Sequence, residues 1–161
     1  MVPVTSSSQF TGTDKPRALI GWRLLAMMYD AWPVLAICMS VAAVFTVGYW
    51  LAGHGLRENI KPFSLLQWLL WLVCWAIAGL YVTASWRRGG QTLGMRPWRL
   101  RVCTVEGNAP AWSTLWVRYA VATLSLAVGG LGFWWAWFDR DRLTWHDRAS
   151  RTRTIRLPKR R

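Results

Sequence analysis

The sequence predicts an all-α integral membrane protein with three hydrophobic helical segments. Apolar residues make up 53% of its 161 positions and charged residues only 17%, whereas a soluble domain carries about a quarter charged residues. The 20 Lys and Arg residues lie almost entirely outside the long apolar stretches. This separation is typical of a membrane protein and argues against a disordered basic chain or a nucleic-acid-binding domain, whose charges would cover a polar surface.

Three apolar runs are long enough to cross a bilayer, because about 20 apolar helical residues span a hydrocarbon core of ~30 Å. They cover residues 24–51, 63–86 and 114–138. None of them alternates as a membrane-spanning strand would, so we predict helices. The pair Gly129-Gly130 interrupts the third run. This interruption leaves open whether the third segment crosses the membrane or re-enters on the same side.

Charge distribution predicts the domain organisation and the orientation. Residues 1–22 are polar and read as a flexible cytoplasmic tail, residues 23–157 as the membrane domain, and residues 158–161 as a basic C-terminal end. The positive-inside rule places the N-terminus, the central loop and the basic tail in the cytoplasm. Three full crossings would put that tail outside, so its charge favours a third segment that returns.

A small β-sheet is also predicted, on the cytoplasmic side. Residues 98–105 and 152–157 both show partial alternation of apolar and polar positions, with β-branched side chains among them. Such alternation is typical of strands with one buried face. We expect the two stretches to pair as a hairpin-like element, which requires both to lie on one side of the membrane.

Asp30, the one charged residue of the first apolar run, predicts an intramembrane polar site. An ionisable side chain inside a span costs at least ~2.5 kcal/mol at the helix centre, and it usually faces the interior of the bundle. Arg23 precedes it by almost two turns on the same helix face. We expect Asp30 to pair with Arg118 or, failing that, with Arg23, within ~4 Å or through one water. A carboxylate that handles protons or cations and a pair that only locks two helices together remain alternatives.

The C-terminal tail contains acidic residues among many basic ones. We expect Asp139, Asp141, His146 and Asp147 to form solvated ion pairs with neighbouring arginines. The final basic residues should bind anionic lipid headgroups; they are Arg151, Arg153, Arg156, Lys159, Arg160 and Arg161. The spacing of Cys and His predicts no metal site, and we expect no cofactor. No nucleophile motif accompanies the acids, so we predict that the protein is not an enzyme.

Four short motifs occur in an order that resembles one known family. The pattern R-x-x-A-x-x-x-D runs from Arg23 to Asp30, and Thr-Leu-Gly-Met-Arg covers residues 92–96. Arg118 opens the third apolar run, and a motif rich in Asp and Arg closes the domain over residues 139–152. Together they resemble the RDD family of bacterial membrane proteins, which is named for an arginine and two aspartates.

The resemblance implies a multi-pass protein of the bacterial inner membrane, in a family whose activity is poorly defined and for which transport is the usual suggestion. With the N-terminus in the cytoplasm by the positive-inside rule, Asp30 inside a span and three segments that enclose little volume, we expect transport of a small solute, or ion-coupled transport, by an oligomer whose intramembrane polar centre is Asp30. The alternative is a non-transporting scaffold or accessory protein, which would bind anionic lipid or a partner through its basic loop and tail. A transport effect of Asp30 that is independent of folding would favour the first function.

Overall fold

The first two apolar runs form two long antiparallel helices. The computed structural model describes residues 19–53, 55 and 61–158. Within these residues, α1 is Ile20–Leu51 and α2 is Leu65–Gly89, and both are long and apolar enough to cross a membrane. Most of the predicted tail over residues 1–22 lies outside the described residues. With 32 residues, α1 is about 48 Å long, so it extends well beyond a hydrocarbon core of ~30 Å.

The third apolar run is broken, as the sequence predicts. It forms α3, Trp112–Ala127, and α4, Leu131–Phe138, which meet at an angle of 97°. The turn between them contains Gly129 with φ 75° and Gly130 with φ 77°. Glycine adopts this left-handed conformation without the steric cost that a Cβ would bring. The sharp change of direction therefore depends on the two glycines.

Helix α3 packs directly against α2. A Cβ added at Gly79 would lie 2.6 Å from ring atoms of both Trp116 and Tyr119, so only glycine allows this close approach. Further along α3, the Tyr119 hydroxyl donates to the Trp75 carbonyl at 3.0 Å, and the Trp75 indole donates to the Thr123 hydroxyl at 3.3 Å. Because residue numbers rise on α3 as they fall on α2, the two helices are antiparallel.

The predicted sheet is confirmed. Strand β1, Leu100–Thr104, pairs antiparallel with β2, Thr152–Arg156, and Val102 lies opposite Thr154. A short helix α5, Trp145–Ala149, precedes β2. The inner side of β1 contributes Leu100 and Val102 to a buried core that also contains Ala26 of α1 and Leu115 of α3. The sheet therefore covers the beginning of α1 and of α3.

These contacts gather the ends of several elements at one end of the molecule. The sheet contacts the beginning of α1, and Ala136 of α4 packs against Ile20, the first residue of α1. Helix α5 packs against α3, and α2 leads into β1. From the beginning of α3 the chain therefore runs away from this end of the molecule. After the glycine turn, α4 and α5 bring it back to the same end.

Candidate functional site

One buried carboxylate holds two buried arginines. Asp147 Oδ2 accepts a hydrogen bond from Arg23 Nη1, and Asp147 Oδ1 accepts one from Arg118 Nη1, both at 2.5 Å. The Asp147 side chain is fully buried, while Arg23 and Arg118 are 7% and 3% exposed. Asp147 belongs to α5, Arg23 to α1 and Arg118 to α3. A single side chain therefore connects three helices by charge-assisted hydrogen bonds, the strongest class in proteins.

The predicted direct ion pair between Asp30 and Arg118 is wrong, and so is the alternative direct pair between Asp30 and Arg23. Both guanidinium groups bind Asp147 instead. The reason is the return of the chain at the glycine turn, which places α5 beside α3 and brings a tail carboxylate to the arginines. The expectation of a solvated tail is likewise wrong for Asp147 and His146, which are both buried.

Local structure fixes the position of the Asp147 carboxylate. Thr144 is the N-cap of α5, and its hydroxyl accepts the Asp147 backbone N–H while the carboxylate accepts the Thr144 N–H, both at 3.4 Å. This reciprocal capping box satisfies two helix-end donors. Burial alone would raise the pKa of Asp147, but the charges of Arg118 and Arg23 outweigh it and hold the pKa well below its usual range. The residue is therefore ionised at neutral pH.

Threonine hydroxyls complete the arginine environment. Arg118 Nη1 donates to Thr152 Oγ1 at 2.6 Å and Arg118 Nη2 donates to Thr154 Oγ1 at 3.0 Å, so both acceptors come from β2. Arg23 Nη1 donates to Thr144 Oγ1 at 3.2 Å. The guanidinium of Arg118 also lies 5.3 Å from the centre of the Trp86 ring, within cation–π distance. The strand pairing thus positions two of the hydroxyls that bind Arg118.

Asp30 has its own set of donors on the loop after α2. The Thr92 hydroxyl donates to Oδ2, and the Gly94 N–H donates to Oδ1 at 2.8 Å. Gly94 has to be glycine for this approach, because a Cβ there would collide with the Ala26 carbonyl. Among the described residues no Lys, Arg or His nitrogen forms an ion pair with Asp30. Within the part of the chain that the structure describes, Asp30 is thus a hydrogen-bonded carboxylate without a partner cation.

His146 is buried beside the network as a neutral ring. Its side chain is packed against Phe133 of α4, with 4.8 Å between the ring centres, and its Nδ1 has no hydrogen-bond partner among the described residues. Burial, reinforced by the charge of Arg118, lowers the pKa of His146 to about 3. A proton on this ring would introduce a further positive charge next to two guanidinium groups, so the imidazole stays uncharged at physiological pH.

A cavity of about 250 Å³ lies between α1, α2 and α3, next to the ion network, Asp30 and His146. Its walls are mainly apolar, but Asp30 and Arg23 border it from α1 and Arg118 from α3. The remaining polar residues on its surface include His146 and Thr92. The structure therefore brings all three residues of the predicted polar site, Arg23, Asp30 and Arg118, to one cavity without pairing the carboxylate with either arginine.

The remaining predicted tail residues lie outside this cavity. Asp139 accepts the Leu143 N–H at 3.0 Å and lies 3.6 Å from the exposed guanidinium of Arg148, while Asp141 is exposed. Three of the predicted lipid-binding arginines are exposed at the same end of the molecule; they are Arg151, Arg153 and Arg156. The other three, Lys159, Arg160 and Arg161, fall outside the described residues.

Several contacts of the site were not predicted from the sequence. Thr144 and Asp147 form a T-x-x-D pattern, which is a sequence signal for a capping box and could have marked the start of α5. Thr92 and Gly94 belong to a recognised motif, but their contact with Asp30 depends on where the loop after α2 folds. Thr152 and Thr154 lie in a strand whose pairing the alternation predicts, but no local signal shows that their hydroxyls bind Arg118.

Comparison with known proteins gives one match. A model of the RDD family matches residues 17–151, a range that includes both arginines of the network, Asp30 and Asp147. No curated protein and no solved structure matches the chain.

Replacing Asp147 by Asn should destabilise the protein severely. Two buried guanidinium groups would lose the carboxylate between them, and breaking a buried ion pair costs about 3–5 kcal/mol. We expect the folded yield in mild detergent, measured by size-exclusion chromatography, to collapse. Asp141→Asn removes the same charge from an exposed side chain and should keep the wild-type yield. Equal yields for the two variants would contradict the assigned role of Asp147.

The buried neutral His146 should make stability depend on pH. Between the ordinary histidine pKa of ~6.5 and the folded value of about 3, the unfolded chain binds a proton that the folded chain does not. The free energy of unfolding should therefore fall as the pH decreases from 6.5 to 4, by at most ~1.4 kcal/mol per pH unit. Thermal unfolding of His146→Asn in detergent should show a shallower pH dependence than the wild type. Identical slopes would refute this assignment.

Proposed function

The chain belongs to the RDD family, and on that premise we propose that it is a membrane transporter for small solutes, working as an oligomer and coupled to an ion through Asp30. The observation that carries the proposal is the arrangement of charge in the cavity. A carboxylate and two guanidinium groups border one cavity near one end of α1, yet the carboxylate is not neutralised by either arginine. The arginines join helices through Asp147, whereas Asp30 has no such ion pair among the described residues.

The position of Asp30 supports this function over a purely structural one. The 21 residues from position 31 to the end of α1 at Leu51 are ~31 Å long and match the hydrocarbon thickness by themselves. Asp30 therefore lies near one edge of the span, next to Val82 and Trp86 of α2 on the cavity wall. Charged residues at this depth that border a cavity usually mark a solute or ion pathway.

The outer surfaces of the helices support an oligomer. Along α1, Trp32 is 73% and Val44 is 70% exposed, and on α2 Leu65 is 87% exposed. Such faces suit either lipid or a second copy of the chain. The cavity lies near one end of α1 and α2, so a continuous pathway would be completed by neighbouring protomers around a symmetry axis.

We also propose that the end carrying the sheet faces the cytoplasm and contacts anionic lipid. The exposed arginines of β1 and β2, Arg101, Arg153 and Arg156, lie at this end together with Arg87 and Arg88 at the end of α2. The positive-inside rule assigns such a cluster to the cytoplasm, and each basic residue near an anionic leaflet contributes about 1 kcal/mol. The third apolar segment then re-enters the membrane and does not cross it.

Transport should depend on Asp30. The full chain would be reconstituted into proteoliposomes, and a panel of ions and small solutes screened with a pH-sensitive dye inside the vesicles. We expect at least one solute to cause flux in the wild type and Asp30→Asn to reduce that flux at least ~10-fold, equivalent to ~1.4 kcal/mol, while remaining folded. Asp141→Asn is the matched control and should retain full flux. Equal flux through Asp30→Asn would contradict the role of Asp30, and a folded wild type without flux for any solute would favour the scaffold.

The orientation can be measured with trypsin on membrane vesicles of known sidedness. We expect trypsin to cleave the basic C-terminal residues in inside-out vesicles and to spare them in right-side-out vesicles. In reconstituted vesicles, anionic lipid should slow this cleavage relative to neutral lipid, and 1 M salt should remove the difference because it shortens the Debye length to ~3 Å. Cleavage confined to right-side-out vesicles would place the end that carries the sheet outside the cell and contradict the proposed orientation.

A further inference from the structure

Two side chains that border the cavity carry buried hydrogen-bond donors without an acceptor among the described residues. Arg23 Nε and Arg118 Nε are both buried, and neither has a hydrogen-bond partner among the described residues. Both side chains border the cavity and are more than nine-tenths buried. An unmatched buried donor on a charged group is costly, so a site with two of them favours a ligand that supplies acceptor oxygens.

The arginine side of the cavity favours an anionic group. Arg23 and Arg118 share the single carboxylate of Asp147, which leaves these three groups with one excess positive charge, and Asp30 on the opposite side of the charge balance brings the sum of the four to zero. His146 adds no charge, because its ring is neutral at physiological pH. Asp30 is already hydrogen-bonded on both of its oxygens. On the described side chains that border the cavity, the unmatched buried polar atoms are Arg23 Nε, Arg118 Nε and His146 Nδ1. The edge of a guanidinium group fits a carboxylate in a two-bond arrangement.

The rest of the cavity requires an apolar ligand body. Beyond the charged groups its walls are formed by side chains such as Met27, Val34, Ala122, Leu126 and Phe133. An apolar cavity of ~150 Å³ holds benzene, which has six heavy atoms. By proportion, the 250 Å³ available here fits a ligand of about ten heavy atoms.

We infer that this cavity binds an amphiphilic carboxylate of medium chain length, with its headgroup at the Nε atoms of Arg23 and Arg118 and its chain between α1 and α3. The inference deepens the proposed function, because it names the class of solute. It rests on the proposed function only in one respect, namely that the bound anion is also the transported solute. Such a carboxylate can come from the aqueous phase or, as a longer fatty acid, from the bilayer.

Binding would be measured by isothermal titration of the full chain in nanodiscs of neutral lipid, with empty nanodiscs subtracted. Octanoate, which has ten heavy atoms, is the probe. Octylammonium keeps the chain and reverses the charge, octanol removes the charge, and acetate removes the chain. We expect octanoate to bind at least ~10-fold more tightly than each of the other three. Oleate tests whether the ligand comes from the bilayer or from the aqueous phase. Tighter binding of oleate than of octanoate would show that the cavity opens to lipid and takes its ligand from there.

Two variants test the location without altering any charge. Ala122→Phe fills the cavity from α3 and should abolish octanoate binding, whereas Ala120→Phe places the same side chain on an exposed position of α3 and should preserve it. Both should elute as folded protein. Equal binding to the two variants, or octylammonium binding as tightly as octanoate, would overturn the inference.

The outcomes also separate binding from transport. If octanoate binds as expected but no solute is transported, the carboxylate site stands and the transport proposal fails. If another solute is transported while octanoate binds no better than octylammonium, the transport proposal stands and the carboxylate inference fails.

Discussion

The buried carboxylate of Asp147, shared by two arginines, is the interaction on which the rest of the site depends. It joins α1, α3 and α5, and the threonines of β2 complete the arginine environment. Two guanidinium groups buried without this acid would each bear a desolvation cost of several kcal/mol. The packing of the sheet against the helices and the geometry of the cavity therefore both follow from one ion network, which the capping box of α5 holds in position.

The glycines set the conditions under which the network forms. The left-handed turn at Gly129 and Gly130 reverses the third apolar run, and Gly79 lets α3 lie close against α2 so that Arg118 faces inward. Gly94 serves the other acid, because its missing side chain lets a backbone N–H reach Asp30. In each case a small residue allows backbone to approach where a larger side chain would separate two elements.

Local patterns in the sequence predicted most of the architecture. The apolar runs, the break at the glycine pair and the pairing of residues 98–105 with 152–157 all rest on composition or periodicity, and the structure confirms them. The choice of acid for Arg118 was mispredicted. Asp30 was favoured because it is the acid inside an apolar run, but Asp147 is nearer in space once the chain has turned. Ion-pair partners are selected by the tertiary path of the chain, which periodicity does not encode.

The sequence separation within the ion network has a consequence for biogenesis. Arg23 and Asp147 are 124 residues apart, and Arg118 precedes Asp147 by 29. During synthesis α1, α2 and α3 all emerge before Asp147, the acid that neutralises Arg23 of α1 and Arg118 of α3. Long-range contacts of this kind form late, after the entropy of closing the intervening chain has been overcome. An incompletely synthesised chain would therefore present two uncompensated guanidinium groups at the membrane edge, and cellular quality control could recognise it by that exposed charge.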